Sequence, residues 1–157
     1  MFISCWNIRG LNKPTKQTEI AKFIYENNID ILGITETKVK KINEDFIKRK
    51  CFRSWDFVSN SSPNSVGRIW VGWNPDKLNV TVLKMTSQLI HVHIEKDDRS
   101  LSFEASFIYG YNTGMARQEL WSDLYSLSLS TLSTNYIALG DFNVTLCPED
   151  VSNANFG

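Results

Sequence analysis

Residues 30–38 read DILGITETK. The apolar run from Ile31 to Ile34 is short and rich in β-branched side chains, so it reads as a buried strand, and Glu36 follows it directly. Upstream, FISCWNI at 2–8 reads as another strand, with Asn7 near its end and Arg9-Gly10 as the turn beyond. Between the two, Pro14 opens a segment in which Ile20, Ala21, Phe23 and Ile24 recur at helical spacing until Asn27-Asn28. Strand, helix and strand in the first 35 residues make the pattern of a βαβ unit.

Further along, 43–51 reads as a short helix. Aromatic segments around Trp55 and Phe57 lead into the polar loop SNSSPNS at 59–65. From Gly67 the period changes to two. Ile69, Val71 and Trp73 alternate in GRIWVGW; Leu78, Val80 and Val82 in LNVTV; and Ile90, Val92 and Ile94 in LIHVHIE. These three strands predict an antiparallel meander with turns at Asn74-Pro75-Asp76 and Lys96–Arg99. LSFEASFIYG adds a fourth strand, with Phe103, Ala105, Phe107 and Tyr109 on one face. A helix over 116–132, striped by Ala116, Leu120, Trp121, Leu124 and Tyr125, precedes a last strand ending at Gly140. The order predicts a single mixed α/β domain over 1–157 whose helices cover sheet faces.

Composition narrows the class. With 42% hydrophobic and 22% charged residues the chain is not of the disordered type. Seventeen basic and seventeen acidic residues cancel, so no global field draws it to nucleic acid. Local charge is another matter: Lys38, Lys40, Lys41, Lys48, Arg49, Lys50 and Arg53 are opposed within 38–53 only by Glu44 and Asp45. That run reads either as a solvated helix face or as a polyanion surface. Cys5, Cys51 and Cys147 are scattered and form no CxxC pair, which predicts no disulfide and an intracellular setting. No leader peptide and no stretch of about 18 apolar residues is evident, so no membrane association is expected. The sequons at Asn60, Asn79 and Asn143 then read as chance.

Chemistry concentrates at strand ends. Asn7, Glu36, Tyr109 and the Asp141/Asn143 pair each lie just past or near the end of a separate apolar strand. Rigid strands deliver side chains to one rim in such folds. Singly, each has a bland alternative: a turn amide for Asn7, a cap for Glu36, core for Tyr109, a turn residue for Asp141. Together they suit metal-assisted attack on a phosphodiester. A hard cation takes oxygen ligands including one or two carboxylates, a role for Glu36 with Asn7 beside it. Asp141 can orient a water, and Asn143 and Tyr109 can donate to phosphate oxygens. Asp141 and Asn143, two apart on an extended chain, would project to the same side.

Five stretches in order, WNIRGLN (6–12), DILGITETK (30–38), GRIWVGWNP (67–75), YGYN (109–112, with Arg117 and Leu120-Trp121 after it) and LGDFN (139–143), resemble the endonuclease/exonuclease/phosphatase superfamily. The nearest likeness is to the endonuclease domain of plant non-LTR (LINE-type) retrotransposons. The resemblance implies a DNase I-like four-layer sandwich, two packed mixed β-sheets flanked by helices. It implies Mg²⁺ (or Mn²⁺) held by Glu36 and Asn7, and catalysis by Asp141, Asn143 and Tyr109. DNA would be the partner, with Lys38, Lys40, Lys41 and Arg117 on phosphates, no oligomer, and a nuclear location for a working enzyme. Members of the superfamily continue to further strands, a metal-side Asp and a Ser-Asp-His setting that 1–157 lacks, so this chain is expected to be a C-terminally truncated domain. A catalytically inactive retrotransposon-derived fragment and a phosphatase on the same scaffold are the alternative readings. His91 and His93, alternating with Ile90, Val92 and Ile94, are expected to be surface residues rather than metal ligands.

Overall fold

Gly33, in the middle of DILGIT, lies against the facing β-sheet: a Cβ there would sit 2.1 Å from the Phe107 ring. A computed structural model describes residues 1–131 and 135–144; Leu132, the expected end of the last helix, and Cys147 lie outside them. The elements run β1 (Ile3–Asn7), α1 (Pro14–Glu26), β2 (Ile31–Val39), a 3₁₀ turn (Lys41–Asn43), α2 (Glu44–Cys51), β3 (Asp56–Ser59), β4 (Gly67–Trp73), β5 (Leu78–Met85), β6 (Leu89–Lys96), β7 (Ser102–Tyr109), α3 (Gln118–Ser130) and β8 (Tyr136–Asp141).

The first sheet has the order β1-β2-β4-β3 and the second β5-β6-β7-β8. Both are mixed: β1 and β2 are parallel, as are β7 and β8, and the other pairs are antiparallel. Each parallel pair is joined by a helix, α1 or α3, because a parallel return needs a crossover. The sheets pack face to face through Ile31, Ile69, Val71, Ile90, Val92 and Phe107. Behind the first sheet, Leu32, Ile34 and Trp70 meet Ile20 of α1 and Ile47 of α2. Behind the second, Leu89 and Ile108 meet Leu120 and Leu127 of α3. This four-layer arrangement is the DNase I-like sandwich expected. Among the described residues no helix is long and apolar enough to cross a membrane.

The meander begins one strand later than the alternation predicts. β4 does not pair with β5; it lies between β2 and β3 in the first sheet, and only β5, β6 and β7 form the meander. The reason is that β4 is buried on both faces, with Ile69 and Val71 between the sheets and Trp70 under the helices. A strand apolar on both sides belongs inside a covered sheet, and alternation of one face conceals the other. β3 itself falls in a segment whose aromatics give no strand period.

His91 is a second correction. The side of β6 opposite Ile90 and Val92 is not solvent: Leu89 packs on α3, and Tyr136 of β8 lies edge-on to His91. His91 is 1% exposed. Its Nε2 lies 3.0 Å from Glu104 Oε2 and its Nδ1 3.0 Å from Ser106 Oγ, and the Tyr136 hydroxyl donates to Ser106 Oγ at 2.9 Å. A neutral ring with the proton on Nε2 satisfies the set: it donates to the carboxylate and accepts from Ser106. Burial pushes the His91 pKa down, against the opposing pull of Glu104. His93 is half-buried, its Nε2 3.1 Å from Ser102 Oγ.

Candidate active site at the sheet rim

Among the described residues β1 and β8 are each an edge strand of their sheet, and they run side by side. Their last residues meet: Asn7 Nδ2 donates to Asp141 Oδ2 at 2.6 Å, joining positions 134 residues apart. Asn7 Oδ1 accepts from Arg9 N at 3.2 Å, which fixes the amide orientation. The chain beyond β1 stays on β2, with Gly10 N donating to Glu36 O at 2.7 Å and Leu11 N to Thr37 O at 2.8 Å. Lys16 clamps that loop through its ammonium to the carbonyls of Ile8 and Arg9.

Glu36 does not follow its strand, as the sequence suggests, but lies within β2. The register with β4 slips between Thr35 and Val39, and Glu36 (φ 56°) and Lys38 (φ 54°) both take left-handed backbone. Such a conformation costs a non-glycine residue roughly 1–2 kcal/mol. Arg9 and Asn143 also have positive φ, so backbone strain gathers at this rim. The distortion pairs Glu36 Oε1 with Lys38 Nζ at 2.5 Å. Lys38 is the main influence holding the Glu36 carboxyl below the ordinary glutamate value, with Asn7 and Arg9 adding to it and partial burial opposing.

Asp141 and Asn143 do not project in parallel from an extended chain. Asn143 (φ 51°) turns back, its N–H donating to Asp141 Oδ1 at 2.9 Å and its Nδ2 to Gly110 O at 2.5 Å. Gly110 N in turn donates to Asp141 O at 2.8 Å. A side chain at 110 would meet the Phe142 carbonyl at 2.6 Å, so glycine is what lets the two turns touch. Phe142 stacks on Trp121 of α3, centroids 6.2 Å apart.

Tyr109 is both core and rim. It is 5% exposed, and its hydroxyl accepts from Arg68 Nη1 at 3.4 Å. Arg117 lines a cavity of about 440 Å³ with Asp141, Asn143 and Val144, and its Nη1 donates to Tyr111 O at 2.6 Å. Asp141 also lines a cleft of about 770 Å³ with Asn7, Arg9, Thr35 and Cys5. The Cys5 thiol is pushed up to about 12, by burial first and then by the Asp141 charge, so it stays protonated; Cys5 and Cys51 are free. Lys40 and Lys41 are not brought to this cleft. They line a separate groove with Ser62 and Ser65, and Lys41 pairs with Glu44 at 2.7 Å.

The donor set suits a hard cation. It offers one carboxylate at Glu36 and an amide oxygen at Asn7, and the buried Thr35 Oγ1 on the cleft wall has no hydrogen-bond partner among the described residues. In this structure the Glu36 carboxylate is paired with the Lys38 ammonium. Among the described residues no group of three or more His, Cys, Asp and Glu is gathered for a metal. Such a sparse set fits Mg²⁺, which keeps waters and uses few carboxylates, and not a zinc or calcium cage.

Sequence reasoning missed the residues that brace this rim. Asn60 accepts from Arg68 N and Ile69 N at 2.9 Å and donates to the Thr86 and Ser87 carbonyls at 3.1 Å. Gln88, 1% exposed, accepts from Tyr111 N at 2.8 Å and donates to Ala116 O at 3.0 Å, and its carbonyl accepts from Tyr109 N at 3.0 Å. Isolated amides in polar turns carry no periodic signal that could have marked them.

A family model described as endonuclease/exonuclease/phosphatase matches residues 5–156. The chain belongs to that family. Three solved structures have similar folds at 15% identity. The endonuclease domain of TRAS1, a telomere-specific non-LTR retrotransposon, aligns over 92% of this chain and 61% of its own with a TM-score of 0.71. An endonuclease/exonuclease/phosphatase family protein from Bacteroides thetaiotaomicron aligns over 90% and 63% with 0.70. A mannosyl-6-phosphatase from the same organism aligns over 90% and 65% with 0.69. The chain thus spans less than two thirds of each of these family members and fold relatives. Comparison with curated protein sequences gave no match.

Proposed function

We propose that this chain carries the metal-holding and water-orienting part of a DNA endonuclease of retrotransposon origin, acting in the nucleus. The observation that carries the reading is the Asn7–Asp141 hydrogen bond, which puts the ends of two sheets into one polar cleft. Glu36 and Asn7 would hold Mg²⁺ or Mn²⁺, which when bound would neutralise phosphate oxygens and polarise water. Asp141 accepts a hydrogen bond from the attacking water and so orients it. Asn143, Arg117 and Tyr109 would donate to the phosphate, and Lys38 would reach a neighbouring one. The ordered motifs from WNIRGLN to LGDFN favour DNA over a sugar phosphate.

Nicking of supercoiled plasmid tests this. We expect Mg²⁺-dependent nicking that EDTA abolishes and that Glu36→Ala lowers by at least about 100-fold, the scale of losing a main charge stabiliser. Nicking untouched by Glu36→Ala overturns the assignment. Hydrolysis of a phosphate monoester without nicking favours the phosphatase reading, and DNA binding with neither activity the non-catalytic one.

A further inference from the structure

The second half of the basic run is not absorbed by the candidate site. Lys48, Arg49 and Lys50 occupy the last turn of α2 and Arg53 follows it, on the outer face of the first sheet. Glu44, counted from sequence as opposing charge, does not oppose them: it is buried and engaged with Lys41, Ser59 and Ser61. Among the described residues Arg49, Lys50 and Arg53 have no carboxylate partner. The helix dipole accounts for cations in a last turn, but not for what surrounds them. Phe46 is 57% exposed with the Lys50 ammonium 4.4 Å from its ring centroid, and Tyr25 at the end of α1 is 84% exposed. Between the helices a groove of about 510 Å³ is lined by Lys22, Tyr25, Arg53 and Trp55. From Phe46 to Lys50 the helix rises about 6 Å, at 1.5 Å per residue.

We infer that this face binds single-stranded nucleic acid, with Arg49, Lys50 and Arg53 on phosphates and Phe46 and Tyr25 stacking on bases. Cations complement the polyanion, and rings placed among them suit unpaired bases, since bases stacked inside a duplex cannot reach a ring on a convex helix surface. The surface is separate from the rim cleft and does not depend on the nuclease reading.

Fluorescence anisotropy of a labelled 12-nucleotide oligo-dT, in EDTA, is the test. Arg49→Glu/Lys50→Glu/Arg53→Glu is expected to weaken binding at least about tenfold and to reduce the salt slope by about 2 for three phosphate contacts. Phe46→Ala/Tyr25→Ala is expected to weaken it at least about fivefold with the slope kept. Because Phe46→Ala/Tyr25→Ala adds no charge, it keeps the test valid if charge reversal perturbs folding. Oligo-dT binding unchanged in both variants overturns the inference. So does a 12-base-pair duplex bound as tightly as oligo-dT with no effect of the rings, or binding to anionic vesicles alone. Plasmid nicking should be unaffected by either variant, and a chain that binds oligo-dT through α2 yet never nicks upholds this inference while contradicting the nuclease reading.

Discussion

Gln88 illustrates how much a single amide can position. Its side chain and carbonyl together hold Tyr109, Tyr111 and Ala116, and through Gly110 that segment touches Asn143 and Asp141. Gln88→Ala removes two part-buried hydrogen bonds to the backbone, and we expect a loss of about 1–2 kcal/mol in urea unfolding. The residue types at the site, Asn7, Glu36, Asp141 and Asn143, could be read from the sequence because each follows an apolar run. Their partners could not. The Asn7–Asp141 bond spans nearly the whole chain, and the Lys38–Glu36 pair depends on left-handed backbone that no residue type there announces.

Among elements, β6 shows where period-two reading succeeds and where it stops. Ile90, Val92 and Ile94 face the inter-sheet core as the alternation predicts. The other face holds His91 in a closed polar set with Glu104, Ser106 and Tyr136. This has a consequence for pH. The native His91 pKa lies below its ordinary value of about 6.5, so the unfolded chain takes up the proton first as pH falls. The stability His91 contributes is therefore present above about pH 6.5 and is lost below it. His91→Gln should be less stable at neutral pH, and its unfolding midpoint should vary less between pH 7 and 5 than that of the wild type. Equal pH dependence in the two proteins would contradict the buried neutral imidazole.

At the level of the whole molecule, sheet membership was the part hidden from sequence. Local pattern marks most strands but not the partners they choose, so β4 looked like the first strand of a meander. Its pairing with β2 and β3 is what assigns it to the first sheet. The close approach of the sheets at Gly33 and Phe107 fixes their separation beside the rim. Gly33→Ala must move a core aromatic ring. We expect it to cost about 1–3 kcal/mol by thermal or urea unfolding, the usual penalty for overpacking. No loss would mean that the sheets can slide apart without consequence.

The central claim is that Glu36 and Asn7, brought from two strands, hold one cation at the rim, beside Asp141. Titration of Mn²⁺ into ¹⁵N-labelled protein tests it through paramagnetic broadening. The account predicts early loss of the Asn7 side-chain amide signal and of the Glu36 and Asn143 backbone signals, abolished in Glu36→Ala. Broadening that begins instead at the cluster of Asp76, Asp97 and Asp98, or that Glu36→Ala leaves unchanged, would contradict it.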